Sequence, residues 1–197
     1  DIFFWEWIHR VIGRVIGLVF MLPFAYFLIT KKLSRSTIRK CLVLMLMGST
    51  QGFLGWYMVK SGLVDRPDVS HYRLAMHLTT AFLTFAYTLW VALDLIYAQH
   101  KERGPQWSGM KNILRLGYLV LVIQIIYGAF VAGLDAGWIH NHWPKMSDGL
   151  WMHETVTEEL VPVWKNFVEG KSGVQFVHRT LAYLVVGLIG WASYLGF

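Results

Sequence analysis

Residues 7–29 read WIHRVIGRVIGLVFMLPFAYFLI, and this stretch decides the fold class of the chain. Its charged and imidazole side chains, His9, Arg10 and Arg14, all lie near its start, and the remainder is apolar. An α-helix needs about 20 predominantly apolar residues to cross the hydrocarbon core of a bilayer. The stretch therefore predicts a transmembrane helix, span A, that begins with a cluster of ionisable groups.

Four further stretches are apolar over a comparable length, and the composition of the whole chain agrees with them. They are spans B to E, at residues 38–59, 74–97, 113–134 and 174–197. Apolar residues make up 55% of the 197 residues, charged residues make up 15%, and the mean hydropathy is +0.44, outside the balance of a soluble domain. We predict an all-α fold, a polytopic transmembrane helical bundle of which five spans are present.

The connections between the spans predict their direction. Three are short: residues 30–37, residues 60–73 with the turn formers Gly62, Pro67 and Asp68, and residues 98–112 with Gly104-Pro105. Spans A, C and E are therefore expected to run one way and spans B and D the other. The D/E connection, residues 135–173, is long enough to be a candidate functional lid.

Charge indicates the sidedness of the chain and argues against nucleic-acid binding. The formal charge of +6 comes from short basic clusters between apolar runs, a pattern that sets membrane topology. Lys and Arg divide nine to nine between the two sides, whereas ten of the 12 Asp and Glu lie on the side of the B/C and D/E connections. We place the A/B and C/D connections in the cytoplasm or matrix. The single cysteine, Cys41, excludes a disulfide framework within this chain and is interpreted as a small buried apolar residue.

A short motif occurs at the start of two spans. Residues 6–10 read EWIHR at the start of span A, and residues 175–179 read QFVHR at the start of span E. The repeat predicts parts of two related bundles, a first-half bundle at residues 1–98 and a second-half bundle at residues 99–197. Span C opens with RLAMH, residues 73–77, and is expected to be the second histidine-bearing helix of the first bundle.

Three of the eight histidines, His9, His77 and His178, lie about one turn inside predicted parallel spans. Ionisable residues are costly inside a membrane and are functional candidates by default. We interpret these three as axial ligands of haem iron, which requires small residues one turn deeper to admit the flat porphyrin. The residues four positions on are small in every case: Gly13, Ala81 and Ala182. The alternative is that each histidine is an interfacial residue hydrogen-bonded to a neighbouring helix.

The other five histidines fall in predicted connections, where a solvated or loop-capping histidine is the ordinary interpretation. His140 and His142 form an H-x-H pair without a third ligand at helical spacing. The complete set is His71, His100, His140, His142 and His153.

Arginine and glutamate side chains accompany the three intramembrane histidines. Arg10, Arg73 and Arg179 are suited to pair with haem propionates, although arginines at this depth also extend towards lipid headgroups. Glu6 lies one turn before His9 on the same helix face. Its carboxylate could accept protons beside a haem, or it could form an ion pair with Arg10.

Several motifs in order resemble the haem A synthase family, and the resemblance extends through every span. They are residues 4–14, residues 51–62, residues 72–77, residues 128–137 with Asn141 and residues 144–146, and residues 175–179. The resemblance implies a pseudo-symmetric pair of four-helix bundles with eight spans. Spans A to C would be the second to fourth of these, and spans D and E the fifth and sixth. Because the sequence lacks an initiator Met, we expect a longer protein.

The resemblance also implies an activity and its ligands. The family oxidises a ring methyl of the substrate haem O to a formyl group, giving haem A for cytochrome c oxidase. Glu6, His9 and His77 match the residues associated with that oxidation, and His178 matches one ligand of a haem b cofactor whose partner would lie beyond Phe197. The cysteine pair of some family members is not seen in this sequence.

Location and partners follow from the same resemblance. We expect an integral membrane protein, with the bacterial plasma membrane favoured over the mitochondrial inner membrane and the histidine sites near the outer side, periplasmic or intermembrane-space. Expected partners are haem O, membrane lipid, haem O synthase and cytochrome c oxidase assembly factors, with a homo-oligomer left open. Two alternatives remain: a b-type bis-His electron-transfer membrane cytochrome, and a transporter without haem.

Overall fold

The computed structural model describes residues 2–62, 69–97 and 108–196, and most of these residues are helical. Five long helices carry the predicted spans, so the all-α class and the five spans are confirmed. A helix of 26 residues is about 39 Å long at 1.5 Å per residue, enough to cross a hydrocarbon core of about 30 Å. The long helices are α1 (Ile2–Ile29), α2 (Arg35–Gly62), α3 (His71–Ile96), α4 (Ser108–Gly133) and α6 (Lys171–Gly196).

The helices begin a few residues earlier than the apolar pattern predicts. His71, expected in a connection, is instead the first residue of α3, because the Leu74 N–H donates to the Ser70 carbonyl and closes the first turn. A polar first turn is invisible to a hydropathy pattern. The predicted turn formers at residues 67–68 and 104–105, together with His100, lie outside the described residues.

The chain divides by its contacts into two units, each with its own packing. The first unit comprises residues 1–56 and 80–99, and so includes α1 and parts of α2 and α3. Within it Lys40 of α2 and Asp94 of α3 form an ion pair that is about four-fifths buried, and the Lys40 ammonium also lies 5.1 Å from the centre of the Trp90 ring. These contacts join the beginning of α2 to the end of α3.

The second unit comprises residues 57–79 and 100–197 and contains α4, α6 and the segment between them. Helices α4 and α6 are antiparallel neighbours. A Cβ on Gly117 would lie 4.0 Å from the Leu188 Cβ, and one on Gly196 would lie 3.9 Å from the Met110 sulfur. The apolar core of this unit joins the beginning of α3 to α4 and α6 through Ala75, Ala129, Phe130 and Val174.

The predicted repeat boundary at residues 98 and 99 concerns symmetry between two bundles, and it stays a prediction.

The segment between α4 and α6 is folded. It holds the one-turn helix α5 (Thr155–Glu158) and three 3₁₀ turns, Ala136–Trp138, Ser147–Gly149 and Val163–Phe167. Asn166, fully buried, organises its second half: the amide donates to the carbonyls of Thr157, Leu160 and Val163 at 2.9–3.0 Å and accepts the Leu160 N–H at 2.7 Å. A buried amide with every bonding direction used specifies one loop conformation.

The same segment caps the first turn of α6. The two carboxylate oxygens of Glu159 accept the N–H groups of Lys171 and Ser172, each at 3.2 Å. These N–H groups have no partner within the helix, and the N-terminal end of a helix favours negative charge. Gly173 lets the backbone of α6 lie against the backbone at Asn166, since a Cβ on Gly173 would lie 2.2 Å from the Asn166 carbonyl oxygen. The segment therefore fixes the start of α6, which carries His178.

Candidate functional site

His178 lies half-buried in α6 and packs its imidazole against α4. A Cβ on Gly128 would come within 3.2 Å of its Cε1 atom, a tight contact that would require the ring to shift by a few tenths of an ångström. The Gln124 amide nitrogen lies 3.5 Å from the His178 Nε2 atom. Gln124 and Gly128 are four residues apart and therefore share one face of α4. This face of α4 contacts the edge of the His178 imidazole.

One ring nitrogen of His178 is unsatisfied. Its Nδ1 atom is buried and has no hydrogen-bond partner among the described residues, although buried ring nitrogens are normally satisfied. Ala182, one turn further along α6, is half-buried. The predicted role of His178 as a haem ligand stays a prediction.

The polar residues that flank His178 bond to the folded segment. Gln175, 5% exposed, donates from its amide to the carbonyls of Gly137 and His140 at 3.4 and 3.2 Å. The Arg179 guanidinium donates to the carbonyls of His140, His142 and Lys145. The arginine predicted to meet a haem propionate therefore binds backbone carbonyls here, and it ties the segment to α6.

His140 is a buried structural residue of this segment. Its Nδ1 atom lies 2.9 Å from the Ser147 hydroxyl and its Nε2 atom 3.0 Å from the Ser172 hydroxyl, so both ring nitrogens have partners. His153 continues the network, with Nδ1 2.9 Å from the Thr155 hydroxyl, which in turn lies 2.8 Å from that of Ser172. With both nitrogens of His140 occupied, the H-x-H pair with His142 is not arranged to hold a metal.

The electrostatics of the network keep His140 neutral. Burial lowers the pKa of the His140 imidazole, and the neighbouring charges of His153 and Arg179 lower it further, against the opposing effects of Asp148 and Glu159. A neutral imidazole can accept one hydrogen bond and donate one, which matches its two hydroxyl partners.

The first copy of the motif has a different environment. Glu6 and Arg10 form an ion pair at 3.2 Å within one face of α1, and each side chain is about half exposed. His9 is also exposed. A Cβ on Gly13 would meet nothing within 4 Å in the part of the chain that the structure describes. The ion pair weighed as an alternative for Glu6 is present, and the space predicted beside Gly13 is open.

The third histidine, His77, lies half-buried in α3, and Ala81 follows one turn later. Arg73, predicted to bind a propionate on the His77 face, places its guanidinium 4.7 Å from the centre of the Tyr57 ring. An arginine guanidinium is attracted to the face of an aromatic ring. His9 and His77 belong to different units, and their predicted pairing across one haem stays a prediction.

Three residues with evident roles escaped the sequence-based reasoning. Glu159 and Asn166 bond mainly to backbone groups, which leave no side-chain spacing to recognise. Gln124 could have been found, because it is an amide inside an otherwise apolar span and polar groups at that depth are costly.

Taken together, the fold and these side chains define a class: a polytopic helical membrane protein with ionisable residues set into its spans. Residues 1–196 match the family described as Cytochrome oxidase assembly protein, and the chain belongs to that family.

Similar proteins carry a more specific name. The chain is 61% identical over 193 residues to the Heme A synthase of Flavobacterium psychrophilum, covering 98% of the chain and 56% of that relative. It is 64% identical over 188 residues to the Heme A synthase of Flavobacterium johnsoniae, covering 95% and 54%. A Heme A synthase of Rhodospirillum centenum is 44% identical over 196 residues, covering 98% and 52%. The resemblance identified from the motifs is confirmed by these matches.

The chain spans about half the length of the curated relatives it matches. No solved structure matches it.

Proposed function

We propose that this chain is part of a haem A synthase, an enzyme that oxidises a ring methyl of haem O to a formyl group for cytochrome c oxidase. The observation that carries the proposal is the identity of 61–64% to two relatives named Heme A synthase across nearly the whole chain. The first motif copy adds a carboxylate beside an intramembrane histidine, which an electron-transfer cytochrome does not need.

In this proposal the first copy of the motif handles the substrate. His9 and His77 would be the axial ligands of haem O, and Gly13 and Ala81 would leave room for its ring. The exposure of the Glu6 carboxylate on the face of α1 that carries His9 supports a role as proton acceptor during methyl oxidation. Arg10 would orient the carboxylate through their ion pair.

The second copy would hold a haem b cofactor through His178. The small residue Ala182, one turn further along α6, supports that assignment. Haem b supplies one-electron redox chemistry when it is bound. Arg179 and Gln175 would act by holding the outer segment against α6, which keeps water away from the start of the helix.

Location and partners are proposed with the activity. The five spans make the protein an integral membrane protein. We place the three histidines near the outer surface of a bacterial plasma membrane, with haem O synthase and oxidase assembly factors as partners that deliver haem O and receive haem A.

The proposal is tested by producing the full-length protein that carries this chain in a bacterium that makes haem O and lacks a haem A synthase. We expect haem A to appear in membrane extracts, identified by chromatography and by the red-shifted absorption of a formyl haem. His9→Ala and His77→Ala should each abolish haem A and lower the haem O content of the purified protein, because one axial ligand is lost.

A wild-type protein that binds haem and yields none of the formyl product would contradict the proposal and would favour the electron-transfer cytochrome. Haem A at the wild-type level in both histidine variants would instead contradict the assignment of the two substrate ligands.

A further inference from the structure

The connection between α1 and α2 carries a dense cluster of positive charge. Five cationic side chains lie within ten residues, at Lys31, Lys32, Arg35, Arg39 and Lys40. No aspartate or glutamate occurs from residue 7 to residue 64, so no acid nearby in the sequence offsets this charge. Setting the direction of two spans requires an excess of cations and no particular arrangement of them. The way these five are arranged therefore carries separate information.

Two of the five cations are held at aromatic rings. The Lys32 ammonium lies 5.9 Å from the centre of the Tyr26 ring, and the Lys40 ammonium lies 5.1 Å from the centre of the Trp90 ring and pairs with Asp94. Tyrosine and tryptophan are enriched where a membrane protein meets the lipid headgroups. These contacts indicate that the connection lies at the level of the headgroups.

The other three cations have no protein partner in the part of the chain that the structure describes. Lys31, Arg35 and Arg39 are exposed and form no ion pair or side-chain hydrogen bond with another described residue. Arg35 and Arg39 are four residues apart, so they share one face of α2. The Ser34 hydroxyl accepts the Thr37 N–H at 3.1 Å, which fixes where α2 and its two arginines begin.

Lys31 occupies a backbone position that favours glycine. Its φ of 55° lies in the left-handed region, and the N–H groups of Lys31 and Lys32 end α1 by donating to the carbonyls of Leu28 and Phe27 at 3.1 and 3.0 Å. Such a turn usually holds glycine or asparagine, because a Cβ is strained there. The backbone gains nothing from a lysine at this position, so its ammonium group is the feature that requires an explanation.

We propose that Lys31, Arg35 and Arg39 bind the phosphate headgroup of an anionic phospholipid. Arginine binds phosphate oxygens in a bidentate manner, lysine adds a point charge, and basic clusters beside membrane spans recognise anionic headgroups. Charge and depth both favour a phospholipid, since its phosphate lies at the level marked by Tyr26 and Trp90. Its acyl chains can then lie against the exposed apolar side chains of α1 and α2, which a soluble anion would leave uncovered.

The test measures how tightly the purified full-length protein binds phosphatidylglycerol in a neutral detergent, by native mass spectrometry during a titration. Phosphatidylcholine, which carries no net charge, is the reference lipid. The double variant Arg35→Gln/Arg39→Gln removes both guanidinium groups. Its matched control is Lys111→Gln/Arg115→Gln, which removes the same charge from an exposed pair with the same spacing near the start of α4.

Two further variants keep the test independent of span direction. Arg35→Lys/Arg39→Lys retains the charge that orients the spans and removes the bidentate geometry. Lys31→Gly removes one cation and relieves the strained backbone, so the melting temperature of this variant should not fall.

Each cation near a membrane surface strengthens the binding of anionic lipid by about fivefold. We therefore expect the glutamine pair to lower the affinity for phosphatidylglycerol by about 25-fold and Lys31→Gly to lower it by about fivefold. The lysine pair should fall between wild type and the glutamine pair. The α4 control should leave the affinity unchanged, and wild type should prefer phosphatidylglycerol to phosphatidylcholine.

Wild-type affinity in the glutamine pair, or an equal loss in the α4 control, would overturn the proposal. Displacement of phosphatidylglycerol by millimolar inorganic phosphate would identify a site for a free anion and overturn the assignment to lipid. Equal binding of phosphatidylcholine would show that the negative charge is not recognised. If the glutamine pair fails to insert in the wild-type direction, Lys31→Gly decides the question, and an unchanged affinity in that variant refutes the site.

Discussion

The two copies of the motif share His-Arg and differ at three positions, and the polar difference, Glu6 in the first copy and Gln175 in the second, is accompanied by different surroundings. Residues 6–10 read EWIHR and residues 175–179 read QFVHR. In the first copy the Glu6 carboxylate accepts from Arg10 in its own helix. In the second copy the amide cannot neutralise an arginine, and both Gln175 and Arg179 donate to carbonyls of the segment between α4 and α6.

Only the first copy therefore contains a carboxylate. Carboxylates can exchange protons and amides cannot, so the first copy keeps a group suited to acid–base chemistry. The second copy uses its polar side chains to hold a folded segment over the helix that carries His178. The predictions below alter one copy at a time.

The largest effect is expected from Gly13→Leu in the first copy. Because the space around Gly13 is open, the substitution should leave the helix inserted, yet the new side chain would occupy the face on which haem O is proposed to lie. We expect loss of bound haem O, measured by chromatography of extracted haem, with a normal yield of membrane-inserted protein.

Gly48→Leu in α2 is its matched control, since a Cβ at Gly48 also meets nothing within 4 Å among the described residues. Normal haem O binding in Gly13→Leu, or an equal loss in Gly48→Leu, would disprove the steric argument.

A smaller effect is expected from Gln175→Glu, which gives the second copy the carboxylate of the first. The new carboxylate would lose both donor bonds to backbone carbonyls and would draw Arg179, four residues on, away from the segment between α4 and α6. We expect the free energy of unfolding in detergent to fall by about 3 kcal/mol.

Gln175→Met removes the same amide hydrogen bonds without adding a charge, so it should lower the free energy of unfolding by less than Gln175→Glu does. If glutamate proves no worse than methionine, the proposed competition for Arg179 does not occur.

The smallest effect is a pH dependence in the stability of the folded segment between α4 and α6, which contacts the second copy. The folded segment holds His140 with a pKa below its ordinary value of 6.5, so below that pH the unfolded segment binds more protons than the folded one. The contribution of His140 to folding is complete above that value and declines as the pH falls towards the lowered pKa. Asp148, Glu159, His153 and Arg179 set the local charge and should modify the size of the decline.

Hydrogen-exchange protection of residues 140–172, corrected for the intrinsic exchange rate at each pH, measures this decline. His140→Gln should reduce it, whereas the exposed His142→Gln should not. Protection that increases on acidification would contradict the assigned direction.

The sequence predicted the spans well because a membrane helix is specified by local composition. Each apolar run ends within a few residues of the helix observed, and the exceptions are polar first turns such as the one that begins at His71. The contacts of the candidate site were harder to predict from the sequence. The partners of Arg179 are carbonyls 34–39 positions away, and those of Asn166 are carbonyls within its own loop, so neither contact produces a side-chain pattern.

The open face at Gly13 and the packed face at Gly128 also could not be distinguished from sequence. Both are glycines one helical turn from a polar residue, yet only the second contacts a histidine ring of another helix. That contact depends on how α4 and α6 align, which pairwise spacing within either helix does not encode.

The most direct test of the central claim is the haem composition of the full-length Glu6→Gln variant. The substitution preserves shape and removes the proton acceptor, so haem O should accumulate on the protein, haem b should be unchanged, and haem A formation should fall by about 10²- to 10⁴-fold. Glu158→Gln, a change at an exposed glutamate between α4 and α6, should leave all three unchanged. Haem A formed at the wild-type rate by Glu6→Gln would contradict the claim and would leave Glu6 as an ion-pair partner of Arg10.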